Sequence, residues 1–166
     1  MKIKFGGKEV TLVGSQVKVG DVAPEFKAIK TDLSEFDSKE TKGKIVIYSV
    51  APSIDTSVCS IQAQTFNERA TELSDDVVIY TVTVDLPFAQ ERFCAAKGID
   101  NADIISDYRY KEFGEKYGFL IEELALLARG VIIVDKDGKV AYTEYVEEAT
   151  NEVNFDAAIE AAQKLA

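Results

Sequence analysis

A strand–helix–strand pattern between Lys44 and Val84 restricts this chain more than anything else in it. Lys44 to Val50 (Lys-Ile-Val-Ile-Tyr-Ser-Val) is a continuous apolar run with no alternation, the pattern of a strand buried on both faces. From Cys59 onward, Ile61 or Gln62, Phe66, Ala70 and Leu73 recur at helical spacing, so a helix beginning at or near Cys59 runs to about Leu73, where Asp75-Asp76 breaks it. Val77 to Val84 is then a second, β-branched strand. Strand, helix and strand in that order demand a parallel pair joined by a right-handed crossover.

The remaining signals arrange themselves around that unit. Lys2 to Phe5 and Glu9 to Val13 flank Gly6-Gly7, a hairpin signal within residues 1–14. Residues 20–43 are loop-rich, with Gly20, Pro24, a charged stretch through Lys42 and then Gly43. Pro87 suits the first turn of a helix through Lys97 closed by Gly98. Tyr110 to Tyr117 reads as a shorter helix ending at Gly118, and Gly130–Asp135 and Lys139–Val146 surround the hairpin turn Asp137-Gly138. Asn154 to Leu165 is an amphipathic helix with Phe155, Ala158, Ile159, Ala162 and Leu165 on one side. A βαβ unit, a helix, a β-hairpin and a closing helix follow the order of an α/β, thioredoxin-like fold: a central mixed sheet flanked by helices, here with an added N-terminal β-hairpin. With 166 residues and no repeat, low-complexity segment or linker, the chain reads as one domain spanning 1–166.

Composition removes several classes of partner. A net charge of −10 argues against nucleic acid and anionic membranes. Lys2 and Lys4 are not followed by the apolar stretch of a signal peptide, and no run approaches the roughly 20 apolar residues that span a bilayer. The expectation is a cytoplasmic protein, where a permanent structural disulfide is unusual. The two cysteines, Cys59 and Cys94, are too sparse for a metal site and too far apart in sequence for a Cys-x-x-Cys motif. They read as catalytic, redox-sensing or merely buried.

Cys59 falls where a buried strand has ended, the chain has turned at Pro52, and a helix begins. The thiolate is the nucleophilic form of cysteine, and a helix N-terminus favours negative charge. The chain has no histidine, so activation at Cys59 must do without an imidazole.

Pro52, Thr56 and Cys59 fill the three fixed positions of Pro-x-x-x-Thr/Ser-x-x-Cys, and the chain resembles the peroxiredoxins that carry this signature. Within them it is similar to the thiol peroxidases, the atypical two-cysteine subfamily. The matching stretches are Pro52-Ser53-Ile54-Asp55-Thr56-x-Val58-Cys59, Asp85-Leu86-Pro87-Phe88-Ala89 with Arg92-Phe93-Cys94, and Leu126-Leu127-Ala128-Arg129 before a strand. They lie in order from end to end. Ser57 departs from the pattern, standing where many relatives have proline, which removes some rigidity without touching a reacting group.

The resemblance implies a cofactor-free peroxidase for hydrogen peroxide and alkyl hydroperoxides, with a rim of Phe88, Phe93 and Leu124 to Leu127 suited to the latter. Cys59 would become a sulfenic acid, and Cys94 would resolve it as an intramolecular disulfide that thioredoxin reduces. The resemblance also implies a homodimer. A disulfide needs Cα atoms within about 7 Å, and two cysteines on separate helices are expected to start farther apart, so local unwinding around one or both is predicted.

Thiolate formation alone does not account for such a reaction. A free cysteine with a pKa near ~8.5 is ~3% thiolate at neutral pH. Lowering that pKa by about three raises the fraction roughly thirtyfold, while intrinsic nucleophilicity falls roughly twentyfold. The remainder must come from donors aimed at the oxygen that takes up charge as the O–O bond breaks. By the resemblance, Thr56 and Arg129 are those donors and Pro52 shields the sulfur from water.

Each residue also has a plainer reading. Thr56 alone would serve as an N-cap, Arg129 would snorkel from a strand end, Asp55 would be a turn or cap residue, and Cys94 a core cysteine beside Phe93. The rival functions are a peroxide sensor or redox-switched interaction protein using the same cysteine pair, and a one-cysteine peroxidase with Cys94 inert.

Overall fold

A computed structural model describes residues 1–166. The elements run β1 (Lys2–Phe5), β2 (Lys8–Thr11), β3 (Lys27–Lys30), β4 (Glu35–Asp37), β5 (Ile45–Val50), α1 (Ser57–Arg69), β6 (Val77–Thr83), α2 (Pro87–Lys97), β7 (Asp103–Ser106), α3 (Glu112–Tyr117), β8 (Gly130–Val134), β9 (Val140–Tyr145) and α4 (Phe155–Leu165). Seven strands form one mixed sheet in the order β4-β3-β7-β6-β5-β8-β9. The β5–β6 and β6–β7 pairs are parallel, and the others are antiparallel. This is the thioredoxin-like arrangement expected, a mixed sheet flanked by helices.

Strand β5 lies inside the sheet and is buried at every position. Its alternate side chains feed two cores. Val46, Tyr48 and Val50 join Phe26, Phe36, Phe113, Tyr117 and Phe119, while Ile45 and Ile47 join Phe66, Ile79, Val131, Ile133, Ile159 and Ala162. Helix α3 supplies Phe113 and Tyr117 to the first core; α1 and α4 cover the second, where the Phe66 and Phe155 rings meet edge-on at 5.4 Å. No helix is long and apolar enough to cross a membrane.

The N-terminal hairpin is a separate two-stranded sheet, with Lys2 opposite Thr11 and Phe5 opposite Lys8. Its second strand begins at Lys8, one residue before the expected start, because Gly6-Gly7 closes a two-residue turn in which both residues take positive φ. Ile3, Val10 and Leu12 bury against the first core, so the hairpin is part of the packing.

Strands β3, β4 and β7 were not expected. The first two are four and three residues long and carry Lys27, Lys30, Glu35 and Asp37, residues typical of a sheet edge facing water. The segment that read as loop therefore contains the edge of the sheet. Helix α1 begins at Ser57 and ends at Arg69, with a 3-10 turn over Ala70–Glu72. The expected helix thus starts two residues early and tightens at its end.

Candidate active site

After Val50 the chain keeps one more sheet bond, Ala51 N–H to the Val82 carbonyl at 3.1 Å, and then turns at the buried Pro52. Thr56 closes the turn, its N–H donating to the Ser53 carbonyl at 3.3 Å. The Thr56 hydroxyl oxygen accepts the Cys59 N–H at 3.3 Å and caps α1, leaving the N–H groups of Ser57 and Val58 with no acceptor in the chain. Cys59 therefore stands in the first turn of α1, with its side chain turned inward and only 1% exposed. The N-cap reading of Thr56 holds, and it leaves the hydroxyl proton only lightly engaged, in a 3.4 Å contact to the Ser53 carbonyl. Asp55 is exposed, and its N–H donates to the Ser53 hydroxyl as a turn residue does.

Arg129 immediately precedes β8, which runs antiparallel beside β5 and pairs Gly130 with Val50. That register brings Arg129 to the end of the sheet where the Cys59 turn begins. Its side chain does not snorkel; it is 2% exposed. Nη2 donates to the Cys59 sulfur at 3.2 Å, Nη1 to Gln62 Oε1 at 2.9 Å and Nε to the Ala149 carbonyl at 2.7 Å. None of these acceptors is a carboxylate. A buried cation is costly unless an opposite charge compensates it, and among its partners only the Cys59 sulfur can carry one.

The supports of Arg129 come from three directions. Gln62, one turn after Cys59 and equally buried, donates through Nε2 to the Ser49 hydroxyl at 2.8 Å and the Val50 carbonyl at 3.1 Å, which fixes its oxygen toward Arg129. Ala149 is held by β1: Lys4 N–H donates to the Glu147 carbonyl at 2.7 Å and Ala149 N–H to the Lys4 carbonyl at 2.8 Å. Gly130 permits the close approach of β9, since a Cβ there would lie 2.0 Å from the Glu144 carbonyl oxygen and 2.7 Å from the Phe119 ring. Gln62 and Ala149 were not singled out from the sequence. Gln62 carried a faint signal as a polar residue in register with Phe66, and Ala149 carried none.

Cys94 lies in α2, half-buried, and both cysteines are free thiols. It faces a cavity of about 240 Å³ lined by Tyr80, Ile99, Ala102, Asp103, Ile104 and Ile105 among others. Burial, with Asp103 and Glu91 adding repulsion, pushes its thiol up to about 11. Of the expected rim, Phe88 and Leu124 are exposed and Phe93 is half-buried, but Leu127 is fully buried in the core and is no part of an exposed rim. A second cavity, about 370 Å³, lies at the Lys44 end of β5 beside Lys44, Val46 and Tyr48. No group of three or more metal-ligating side chains converges anywhere.

The Redoxin family model matches residues 18–159. The chain is 52% identical over 164 residues to the thiol peroxidase of Bacillus subtilis (strain 168), covering 99% of this chain and 98% of that protein. It is 48% identical over 163 residues to the thiol peroxidase of Clostridium acetobutylicum, covering 98% of each. Among solved structures it is similar to a peroxiredoxin-like protein from Aquifex aeolicus, with a TM-score of 0.93 and 40% identity over 99% of this chain and 97% of the other.

Proposed function

The chain belongs to the Redoxin family and, within it, to the thiol peroxidases, and from that premise we propose which residues run its thiol-dependent peroxidase reaction and on what. The substrates are hydrogen peroxide and organic hydroperoxides. The Cys59 thiolate attacks one peroxide oxygen; the S–O bond forms as the O–O bond breaks, and the second oxygen leaves with the electron pair as hydroxide or alkoxide. Proton uptake gives water or alcohol, and Cys59 is left as the sulfenic acid.

Arg129 orients the sulfur and donates to the oxygen that becomes negative, where a fixed donor contributes a few kcal/mol. The Thr56 hydroxyl supplies the second donor by leaving its weak contact with Ser53, while its oxygen continues to cap Cys59. Pro52, buried at the turn, keeps bulk water from the sulfur. The observation that carries this reading is the 3.2 Å bond to the Cys59 sulfur from a buried guanidinium with no carboxylate partner.

Cys94 resolves the intermediate. Its thiol attacks the Cys59 sulfur, the S–OH bond breaks, and water leaves as the disulfide forms. Residues around one or both cysteines unwind to bring them together. Thioredoxin, a dithiol, then reduces the disulfide and is itself oxidised, so the cycle closes without a cofactor. The protein works in the cytoplasm as a homodimer.

Steady-state peroxide consumption with thioredoxin, thioredoxin reductase and NADPH tests this, using wild type, Cys59→Ser and Cys94→Ser. Turnover is expected in wild type and in neither variant. Continued coupled turnover in Cys94→Ser would remove its resolving role, and a wild type oxidised once without recycling would point to a sensor.

A further inference from the structure

The two cysteine-bearing elements are tied together by side chains that no catalytic step above uses. Asp85 lies in the short link between β6 and α2. Its carboxylate accepts the Ser53 hydroxyl at 2.7 Å and the Ile54 N–H at 2.9 Å, gripping the turn that leads into Cys59. It also accepts the Thr83 hydroxyl at 2.7 Å. Thr83 in turn accepts Gln90 Nε2 at 3.0 Å, and Gln90 is a fully buried residue of the helix that carries Cys94. A continuous hydrogen-bonded chain thus runs from α2 to the Cys59 turn.

A second tie closes the opposite end of α2. Asn67, buried on α1 two turns beyond Cys59, donates through Nδ2 to the Gly98 carbonyl at 3.4 Å. Its Oδ1 accepts the N–H groups of Asp100 at 3.1 Å and Asn101 at 2.7 Å. The segment that terminates the Cys94 helix is therefore held by the Cys59 helix.

We propose that Asp85 and Asn67 are positioning residues that clamp the Cys94 helix at its two ends to the Cys59 turn and helix, so that the two elements open together. The proposal rests on the reading of Cys94 as the resolving cysteine. Opening the Cys59 turn alone strands the Asp85 carboxylate, and opening the Cys94 helix alone takes Gln90 from the Thr83 hydroxyl and strands the Asn67 amide. Buried groups stripped of their partners are costly, whereas opening both elements gives all of them to water. The half-open states are therefore the costly ones. The clamps differ in one respect. Asp85 also shapes the turn beside the reacting sulfur, and Asn67 does not.

Rapid-quench mass spectrometry separates the steps by following Cys59 sulfenic acid, the Cys59–Cys94 disulfide and Cys59 sulfinic acid. Asp85→Ala is expected to slow sulfenic acid formation and to speed disulfide formation, each by about tenfold, while Asn67→Ala speeds disulfide formation alone. Both raise the peroxide dose that converts Cys59 to sulfinic acid. Ile159→Ala, a core change in α4 that removes none of the clamp hydrogen bonds, is the control for lost stability, and at matched melting temperature it should leave that dose where wild type has it. Disulfide formation at the wild-type rate in both clamp variants, or an equal change in Ile159→Ala, would overturn the inference. Absence of any Cys59–Cys94 disulfide in wild type would instead overturn the resolving role of Cys94, and the inference with it.

Discussion

Arg129 reaches the Cys59 sulfur at 3.2 Å across 70 positions of sequence, from the residue just before the strand beside β5 and not from the helix that carries the cysteine. Its two remaining directions are spent on Gln62 and Ala149, so the guanidinium is fixed by a helix side chain and a loop carbonyl together. A planar fork with three different acceptors is not replaceable by a single ammonium.

Arg129→Lys is accordingly expected to lower kcat/KM for peroxide by about 10²- to 10³-fold, the cost of losing one preorganised donor at a developing anion. The Cys59 sulfur remains present and the chain folded, so slow single-turnover oxidation should still be detectable. A variant with near wild-type kcat/KM would show that charge alone is enough at this position.

Gln62 supports that geometry without being expected to touch peroxide. Gln62→Leu takes a bond from the Arg129 Nη1, the Ser49 hydroxyl and the Val50 carbonyl, at about 1–3 kcal/mol for each buried group left unpaired. For a chain of this size that lowers Tm by roughly 2–4 °C per kcal/mol, and the peroxide rate should fall with it. Gln62→Glu is the sharper probe, because a carboxylate there competes with the Cys59 sulfur for the guanidinium. Its kcat/KM should lie below that of Gln62→Leu, and the reverse order would mean that Gln62 acts through packing alone.

How much of this was readable beforehand follows from where each signal resides. Pro87 and Gly98 bracket α2 at the expected positions because cap and first-turn chemistry are local. The unbroken apolar run of β5 announced a doubly buried strand for the same reason. Cys59, Thr56 and Pro52 lie within one turn of chain, so their spacing could be read as a motif. The buried face of α1 was harder, since Gln62 and Asn67 occupy it beside Ala63 and Phe66 and blur the apolar stripe. Both are buried for their hydrogen bonds, some of which reach distant segments, Arg129 for Gln62 and Gly98, Asp100 and Asn101 for Asn67. Ala149 serves through a backbone carbonyl, a group every residue has, so nothing in its side chain marks it. Strands β3, β4 and β7 were missed because short edge and near-edge strands are stabilised by their neighbours' ladders, not by their own composition.

Cys94 should be unreactive until its helix opens. With its thiol pushed up to about 11, the thiolate fraction at neutral pH is roughly 300-fold below that of a free cysteine with a pKa near 8.5. In Cys59→Ser, iodoacetamide should therefore label Cys94 far more slowly than a small-molecule thiol at the same pH, with the rate rising as pH climbs toward 11. Urea below the unfolding midpoint should accelerate labelling by releasing α2. Labelling at neutral pH as fast as a free thiol would show that the helix is already open in the reduced protein.

Asp107 supplies a pH test of the fold that is independent of either cysteine. Its carboxylate is fully buried, accepting the N–H groups of Phe113 at 3.0 Å and Gly114 at 2.8 Å at the start of α3. Burial outweighs those bonds and raises the group from an ordinary value of 3.8 to about 6. The folded state therefore holds a proton between these values that the unfolded state releases, so this group's contribution to stability falls as pH rises through that window. Above it the full penalty, about 3 kcal/mol, is present. Asp107→Asn removes the ionisation while keeping the shape. Chemical denaturation from pH 4 to pH 7 should show wild type losing stability relative to Asp107→Asn by an amount of that order. A wild type that gained on the variant over the same range would mean that the two N–H groups stabilise the carboxylate by more than burial penalises it.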